Sequence, residues 1–331
     1  MIDESTLAQF TTLSAKAFPK VEMLDVTLRD GGFINNFGWD EQFILHHVAS
    51  LLRGGFESIE LGYLGGVSRE EGWYEGLASD VPIELVERAA ALNSSVRLHC
   101  IVNPWRMRGI DDLGKYKTSG LDTLRVAYNQ KHAEKVWGVV EQSQRAGLRT
   151  IVNVATVSKL NEGAIAEILS EAMRKKVAGV FFADTCSSMR PDELYRLFQD
   201  ARQRVGPDFI LGLHGHDFNG FGMANGYMSA LGGANCIDMS IRGIGRGGGN
   251  VRAELWALAS IAGGCLKRAE FSGVMSAVAE VERALNLDEA SLLPALTAAY
   301  NINPESLESI YQTSSIDRQN EIVVEVLRAH S

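Results

Sequence analysis

Eight short apolar runs, each followed by a longer amphipathic stretch, occupy the chain from Val21 to Gly264 and leave few folds open. The runs are Glu22–Leu28, Ser58–Tyr63, Val96–Val102, Thr123–Ala127, Thr150–Ala155, Gly179–Ala183, Ile210–Leu213 and Ile237–Ile241. Between or after them lie stretches rich in Glu, Arg, Ala and Leu, such as Asp40–Leu52, Ala133–Ala146, Glu162–Lys175, Pro191–Val205 and Ala253–Ala262. Near-continuous Val, Ile and Leu read as strands buried on both faces, and their alternation with helices predicts a parallel sheet covered by helices. Eight such units match an α/β fold of the (β/α)8 TIM-barrel type, which typically needs about 250 residues. An open doubly wound sheet is the competitor. It usually has fewer strands, and none of these runs shows the polar alternation of an edge.

Leu266–Ser331 contains no strand candidate. Phe271–Leu285, Ser291–Tyr300, Pro304–Tyr311 and Arg318–Leu327 are predicted helices, with Asp288 and Asn303 as cap residues. No Ser/Gly linker precedes them. The predicted division is therefore a catalytic barrel over 21–265 and a helical C-terminal region over 266–331 packed on it.

Charge narrows the partners. The 331 residues carry 32 Lys+Arg and 41 Asp+Glu, a formal charge of −9, which argues against a nucleic-acid backbone binder. No apolar run approaches the ~20 residues of a membrane span. Asp3 and Glu4 stand where a secretory signal would carry positive charge. Cys100, Cys186, Cys236 and Cys265 are widely spaced and form no C-x-x-C pair, so a reducing, cytoplasmic setting is expected. Cys186 has no neighbouring motif that would activate it and reads as a packing residue.

In such a barrel the chemistry gathers at the C-terminal strand ends. Polar residues there are Arg29 and Asp30 after the first run, Glu60 in the second, Asn103 after the third, Tyr128 after the fourth, Asp184 and Thr185 after the sixth, and His214 and His216 at the seventh. Residues i and i+2 on a strand share a face, so both imidazoles can aim into the barrel mouth. Two imidazoles and one carboxylate form a common divalent-metal site with open positions, and Asp30 is the carboxylate within reach. Taken alone, His-x-His is more often a hydrogen-bonded loop pair; the strand-end setting with Asp30 favours the metal. Arg29 needs a partner if buried, and Glu60 is the obvious one. The pair is either a structural ion pair or a guanidinium aimed at a developing enolate oxygen, and its position favours the second. Gly243-x-Gly245-x-x-Gly248 has dinucleotide spacing but follows the last strand. It reads as a turn that lets backbone approach a ligand and Asn250 approach the metal.

These motifs together resemble the DRE-TIM metallolyase superfamily, which includes hydroxymethylglutaryl-CoA lyase, isopropylmalate and homocitrate synthases and 4-hydroxy-2-oxovalerate aldolase. The residues that carry the resemblance are Asp25-x-Thr27-Leu28-Arg29-Asp30-Gly31, Glu60, His214-x-His216, Gly243-x-Gly245, Gly249-Asn250 and Glu254. Leu124–Ala127, Asp184-Thr185 with Met189, and Ala299–Asn301 resemble the oxovalerate aldolase branch. The glycine loop has neither the lyases' cysteine nor the synthases' Glu-Arg pair. One position departs from the aldolase branch: Phe33 stands where its general-base histidine is found.

The resemblance implies a divalent-metal-dependent aldolase, a carbon–carbon lyase or its reverse, acting on a 2-oxo acid and an aldehyde through an enolate. Mn2+ or Mg2+ is the implied metal, with Zn2+ or Co2+ as alternatives. Asp30, His214 and His216 are the expected ligands, with Asn250 as a fourth. Arg29 and Glu60 are the expected catalytic pair. Phe33, Asn103, Tyr128, Asp184, Thr185 and Gly245 are expected around the substrate. Tyr63, His99 and Tyr128 are candidates for the unassigned base, each more often a packing residue at such a position. Phe33 predicts poor cleavage of 4-hydroxy-2-oxovalerate and a greasier pocket suited to a bulkier, less polar aldehyde. A homo-oligomer is expected, and a dehydrogenase partner is implied by resemblance alone. The rival readings are a Claisen-type acyltransferase using an acyl-CoA, and a non-catalytic descendant.

Overall fold

The computed structural model describes residues 17–110, 112–300, 302 and 307–329. Strands β1 (Glu22–Asp25), β2 (Ser58–Tyr63), β3 (Arg97–Val102), β4 (Leu121–Tyr128), β5 (Arg149–Val154), β6 (Gly179–Asp184), β7 (Ile210–Gly215) and β8 (Cys236–Ser240) pair side by side in chain order. Every pairing is parallel, and β1 also pairs with β8, Glu22 opposite Cys236 and Asp25 opposite Met239, which closes the ring. The fold is a (β/α)8 TIM barrel. Helices α1 (Glu41–Arg53), α2 (Ile83–Ala90), α3 (Leu113–Thr118), α4 (Ala133–Arg145), α5 (Glu162–Arg174), α6 (Pro191–Val205) and α7 (Gly222–Gly232) follow the first seven strands in order. A two-residue strand, β9 (Val251–Arg252), pairs with β8.

Local chemistry sets the ends. Asn161 caps α5 by accepting from Ala164 N at 2.9 Å, and Asp112 caps α3 by accepting from Gly114 N at 2.9 Å. β1 ends at Asp25, short of the expected Leu28. The Asp25 carboxylate accepts from Thr27 N (3.0 Å) and Thr27 Oγ1 (2.6 Å), so this donor leaves the ladder, and Asp30 N then turns back to Val26 O at 2.8 Å. The turn delivers Arg29 and Asp30 to the mouth.

The floor of the barrel is dry. Leu24, Val26, Ile151, Phe181 and Cys236 form one buried cluster. Gly212 on β7 makes the space for it, because a Cβ there would run into the Phe181 ring.

The described chain falls into two compact units: Val21–Ala49 with Phe56–Arg252, and residues 17–20 and 50–55 with Ala253 onward. The second unit contains α8 (Ala253–Ala262), α9 (Phe271–Leu285), α10 (Leu293–Tyr300), α11 (Glu308–Thr313) and α12 (Ile316–Ala329). It therefore takes in one helix ahead of the expected 265/266 boundary. Its core includes Trp256, edge-on to Phe18 at 4.9 Å, with Phe271, Leu296 and Val323. Leu293 N donates to Ser291 Oγ at 3.2 Å, so Ser291 serves at the start of α10 where Asp288 was expected. Asn303 and the expected helix start at Pro304 lie outside the described residues. No helix among the described residues is long and apolar enough to cross a membrane.

Filling the Gly212 space forces the Phe181 ring to move. Gly212→Val is expected to lower stability by about 1–3 kcal/mol, the usual range for overpacking a filled core. A urea unfolding midpoint equal to that of the unmodified protein would show that the floor has room to spare.

Candidate active site

β7 extends to Gly215 and carries His214 and His216 to the mouth on one side, their ring centroids 4.8 Å apart at 80°. The turn after β1 brings Asp30 against them. The ligand atoms of Asp30, His214 and His216 all lie within 4.8 Å of one another, and all three side chains are buried. Asn250 joins from the loop after β8, where it bridges to His216, and its Nδ2 donates to Asp30 Oδ2 at 3.1 Å and Ile244 O at 3.0 Å. Its Oδ1 is buried and has no hydrogen-bond partner.

An acceptor faces Nδ1 of each imidazole. Asp238 Oδ2 lies 3.0 Å from Nδ1 of His214, and Gly249 O lies 3.1 Å from Nδ1 of His216. For His216 the Gly249 carbonyl favours a proton on Nδ1 and a lone pair on Nε2, the arrangement a metal ligand needs; His214 Nδ1 faces its carboxylate without hydrogen-bond alignment. Burial, then the neighbouring His214, pull His216 down to about 4, so it is neutral near pH 7. Burial pushes Asp30 up, but Arg29 and then the two histidines outweigh it and hold the carboxyl well below the usual range.

Beneath these groups lies a set of buried charges. Arg29 donates from Nε to Glu60 Oε2 at 2.6 Å and from Nη1 to Asp30 Oδ1 at 2.8 Å. Arg125 of β4 reaches Asp238 Oδ2 at 2.7 Å, Glu60 Oε1 at 3.2 Å and Asn153 Oδ1 at 3.1 Å, and it lies over the Phe181 ring. Three carboxylates, Asp30, Glu60 and Asp238, thus share two guanidiniums, Arg29 and Arg125. The surplus negative charge beside two imidazole lone pairs and the orphaned Asn250 oxygen fits a divalent cation.

Residues 116–281 match the HMGL-like family, half of the chain. The chain belongs to this family. It is 26% identical over 85% of its length to an oxaloacetate decarboxylase of Mycobacterium tuberculosis, covering 79% of that protein. It is 27% identical over 75% of its length to a 4-hydroxy-2-oxovalerate aldolase of Rhodococcus opacus, covering 70% of it. Among solved structures, an HMG-CoA lyase from Acinetobacter baumannii in complex with coenzyme A and 3-methylmalate superposes with a TM-score of 0.68 at 17% identity, over 89% of this chain and 97% of that one.

In this HMGL-like barrel the remaining expected residues scatter. Asp184 accepts from Ser188 N (3.2 Å) and Met189 N (2.9 Å) and so folds its own loop, while Thr185 Oγ1 accepts from Thr156 N (3.0 Å) and ties that loop to the one after β5. Tyr128 packs on Trp137 of α4 at 5.8 Å. Strand alternation explains it: Arg125 points inward, so the residue three positions on points to the helices. His99 is sealed, with neither ring nitrogen bonded, and burial pushes its pKa well below the ordinary value. Gly245 is pressed against the ligands: a Cβ there would meet Asn250 Nδ2 and lie 2.7 Å from Asp30 Oδ2. Cys186 is exposed and unbridged.

A cleft of about 400 Å³ opens beside the ligands and is lined by Phe33, Tyr63, Asn103, Arg106 and Arg246 among others. Phe33 does not make it greasy. The Arg246 guanidinium lies 3.8 Å above its ring, and Phe37 (5.0 Å), Tyr74 (5.6 Å) and Tyr63 (6.2 Å) meet its edges. The expectation of an open apolar wall is therefore wrong, because the sequence could not show that the loop after β8 folds over this ring.

Sequence reasoning gave Arg125 no role of its own and passed over Asp238. Each stands inside an apolar strand, where an ionised side chain persists only if paired, and that was the available signal. Asp238→Asn removes a charge that faces His214 Nδ1 and balances Arg125. We expect divalent-metal affinity to fall roughly 10–100-fold, the usual cost of losing such an outer partner, read by titrating bound metal in a variant whose circular dichroism is unchanged. An unchanged affinity would assign Asp238 to the fold alone.

Proposed function

We propose that this protein is a divalent-metal-dependent aldolase that makes or breaks a carbon–carbon bond next to the keto group of a 2-oxo acid. The observation that carries the reading is the buried Asp30–His214–His216 cluster with a guanidinium of fixed orientation beside it. Asp30, His214 and His216 would hold the ion with the Asn250 amide oxygen, a mixed nitrogen–oxygen set for which we propose Mn2+ or Mg2+. When bound, such an ion would polarise the 2-oxo group and favour enolisation.

The chain's own residues supply the rest. Arg29 is gripped at Nε by Glu60 and at Nη1 by Asp30, while its Nη2 is buried without a hydrogen-bond partner. Nη2 lies 3.9 Å from Asp238 Oδ2, too far for a hydrogen bond, and a guanidinium held this way would stabilise an oxygen on which negative charge grows at little cost in reorganisation. Tyr63 is the proton carrier we propose. It is buried in the cleft wall near Arg29, and burial raises its pKa against the pull of Arg29 and Arg246, so it holds its proton near neutral pH. His99 is sealed off and Tyr128 faces the helices. Four unbridged cysteines support a reducing compartment, and we assign the protein to the cytoplasm on that ground.

The test needs no aldehyde. In the metal-loaded protein, the C3 protons of pyruvate should exchange with deuterated solvent, read by NMR. Arg29→Lys keeps a charge but loses the planar fork, and should slow exchange by roughly 10²–10³ at an unchanged metal content. Tyr63→Phe should slow it by about 10²–10⁴. No exchange above the metal-only rate would refute the aldolase reading, and a loss below tenfold in Arg29→Lys would leave Arg29 a structural residue.

A further inference from the structure

The cleft beside the ligands runs against the charge of the whole molecule. The chain carries −9, yet none of the cleft's lining residues is acidic and two of them, Arg106 and Arg246, are arginines. Arg106 has no ion-pair partner among the described residues; only its backbone N is bonded, to Asn103 O at 2.9 Å. Arg246 likewise forms no ion pair with its guanidinium among the described residues, which instead lies on the Phe33 ring. Two exposed guanidiniums lining one cleft without a carboxylate can both turn to an outside anion, whose oxygens their planar forks match.

Their placement fixes which part of a ligand they would meet. Arg246 N donates to Asp30 Oδ2 at 3.2 Å, so the residue whose guanidinium covers Phe33 also touches a candidate metal ligand. The cleft is thus joined to the proposed reacting centre through Arg246, and Tyr63, Tyr74 and Arg106 share its lining. Ser68 and Asn103 add further polar groups to its lining. A neutral aldehyde would leave both guanidiniums unanswered.

We propose that the acceptor half of the substrate carries an anionic group, a carboxylate or a phosphate, and that Arg106 and Arg246 recognise it. The inference rests on the aldolase reading for the word acceptor. The anion site itself stands on the cleft alone. It reverses the less polar aldehyde expected from Phe33, because the ring is a platform under Arg246 and not an exposed wall.

Calorimetric titration of the metal-loaded full chain with two unreactive anions, succinate and glycolate 2-phosphate, reads the site whether or not pyruvate enolises. At least one should bind, and whichever binds more tightly identifies carboxylate or phosphate. Arg106→Gln and Arg246→Gln should each weaken it about tenfold, or about 1.4 kcal/mol, and Arg106→Lys should recover part of the loss. Where pyruvate C3 exchange is present, kcat/KM for succinic semialdehyde over butanal, or glycolaldehyde phosphate over glycolaldehyde, should exceed ten and fall in both glutamine variants. Absent exchange with arginine-dependent anion binding would sink the aldolase reading and keep the anion site. No binding of either anion, or binding that both substitutions leave unmoved, would overturn the site itself.

Discussion

The barrel mouth depends on one buried ionic network, Arg29–Glu60–Arg125–Asp238. A charge moved from water into such an interior loses several kcal/mol of solvation, and its partners recover it only with short, well-aligned contacts. Here the contacts are short: 2.6 Å from Arg29 to Glu60 and 2.7 Å from Arg125 to Asp238. Arg125 spans the barrel interior from β4, engaging β2 and β8 together, and its flat guanidinium lies over Phe181 at the top of the dry floor. No aliphatic side chain could join three strands in this way. The network therefore marks where packing stops and chemistry starts.

Its arithmetic reaches upward. Glu60 divides its two oxygens between Arg29 and Arg125, and Asp238 divides its attention between Arg125 and His214. Arg29 is thereby held at two nitrogens, and His214 Nδ1 faces the Asp238 carboxylate. The same residues that keep the barrel from carrying an unpaired charge also aim the groups that would act on a ligand, so stability and activity are coupled at this layer. A substitution at Arg125 would disturb both through Glu60 and Asp238 without touching either ligand histidine.

Much of this was legible in the chain. Apolar runs alternating with amphipathic stretches specify the parallel barrel, because period and length leave little else to bury them against. His214, His216 and Asp30 announced themselves by falling at strand ends, and Arg29 and Glu60 by needing each other. What escaped notice has a physical pattern. Asp238 sits mid-strand, away from the strand ends, and Arg125 stood out only as part of a motif; the two-residue alternation is what reveals the inward face of each. Tyr128 was misplaced by the same alternation. Asp184 and Thr185 lie at the correct end of β6, yet loop amides take their oxygens, and such local competition leaves no trace in spacing. The encounter of Phe33 with Arg246 is a contact between the first and last loops of the barrel, which no local pattern encodes.

That encounter is held by strained backbone. Asn36 and Phe37 both adopt left-handed conformations, with φ of 55° and 60°, and a bulky residue there is an outlier that persists only where surroundings enforce it. The enforcement is visible: Phe37 is fully buried, its ring fills the space a Cβ on Gly32 would need, and it meets Phe33, Tyr63 and Tyr74 edge-on. A platform built this way cannot swing aside without giving up the aromatic contacts that offset the strain. Phe33 is consequently a rigid seat for the Arg246 guanidinium, which is attracted to the ring face and held near Asp30 by its own backbone amide. A phenyl ring at this strand end thus does more than fill space. The ring supports a cation, the Arg246 guanidinium, from the last loop of the barrel.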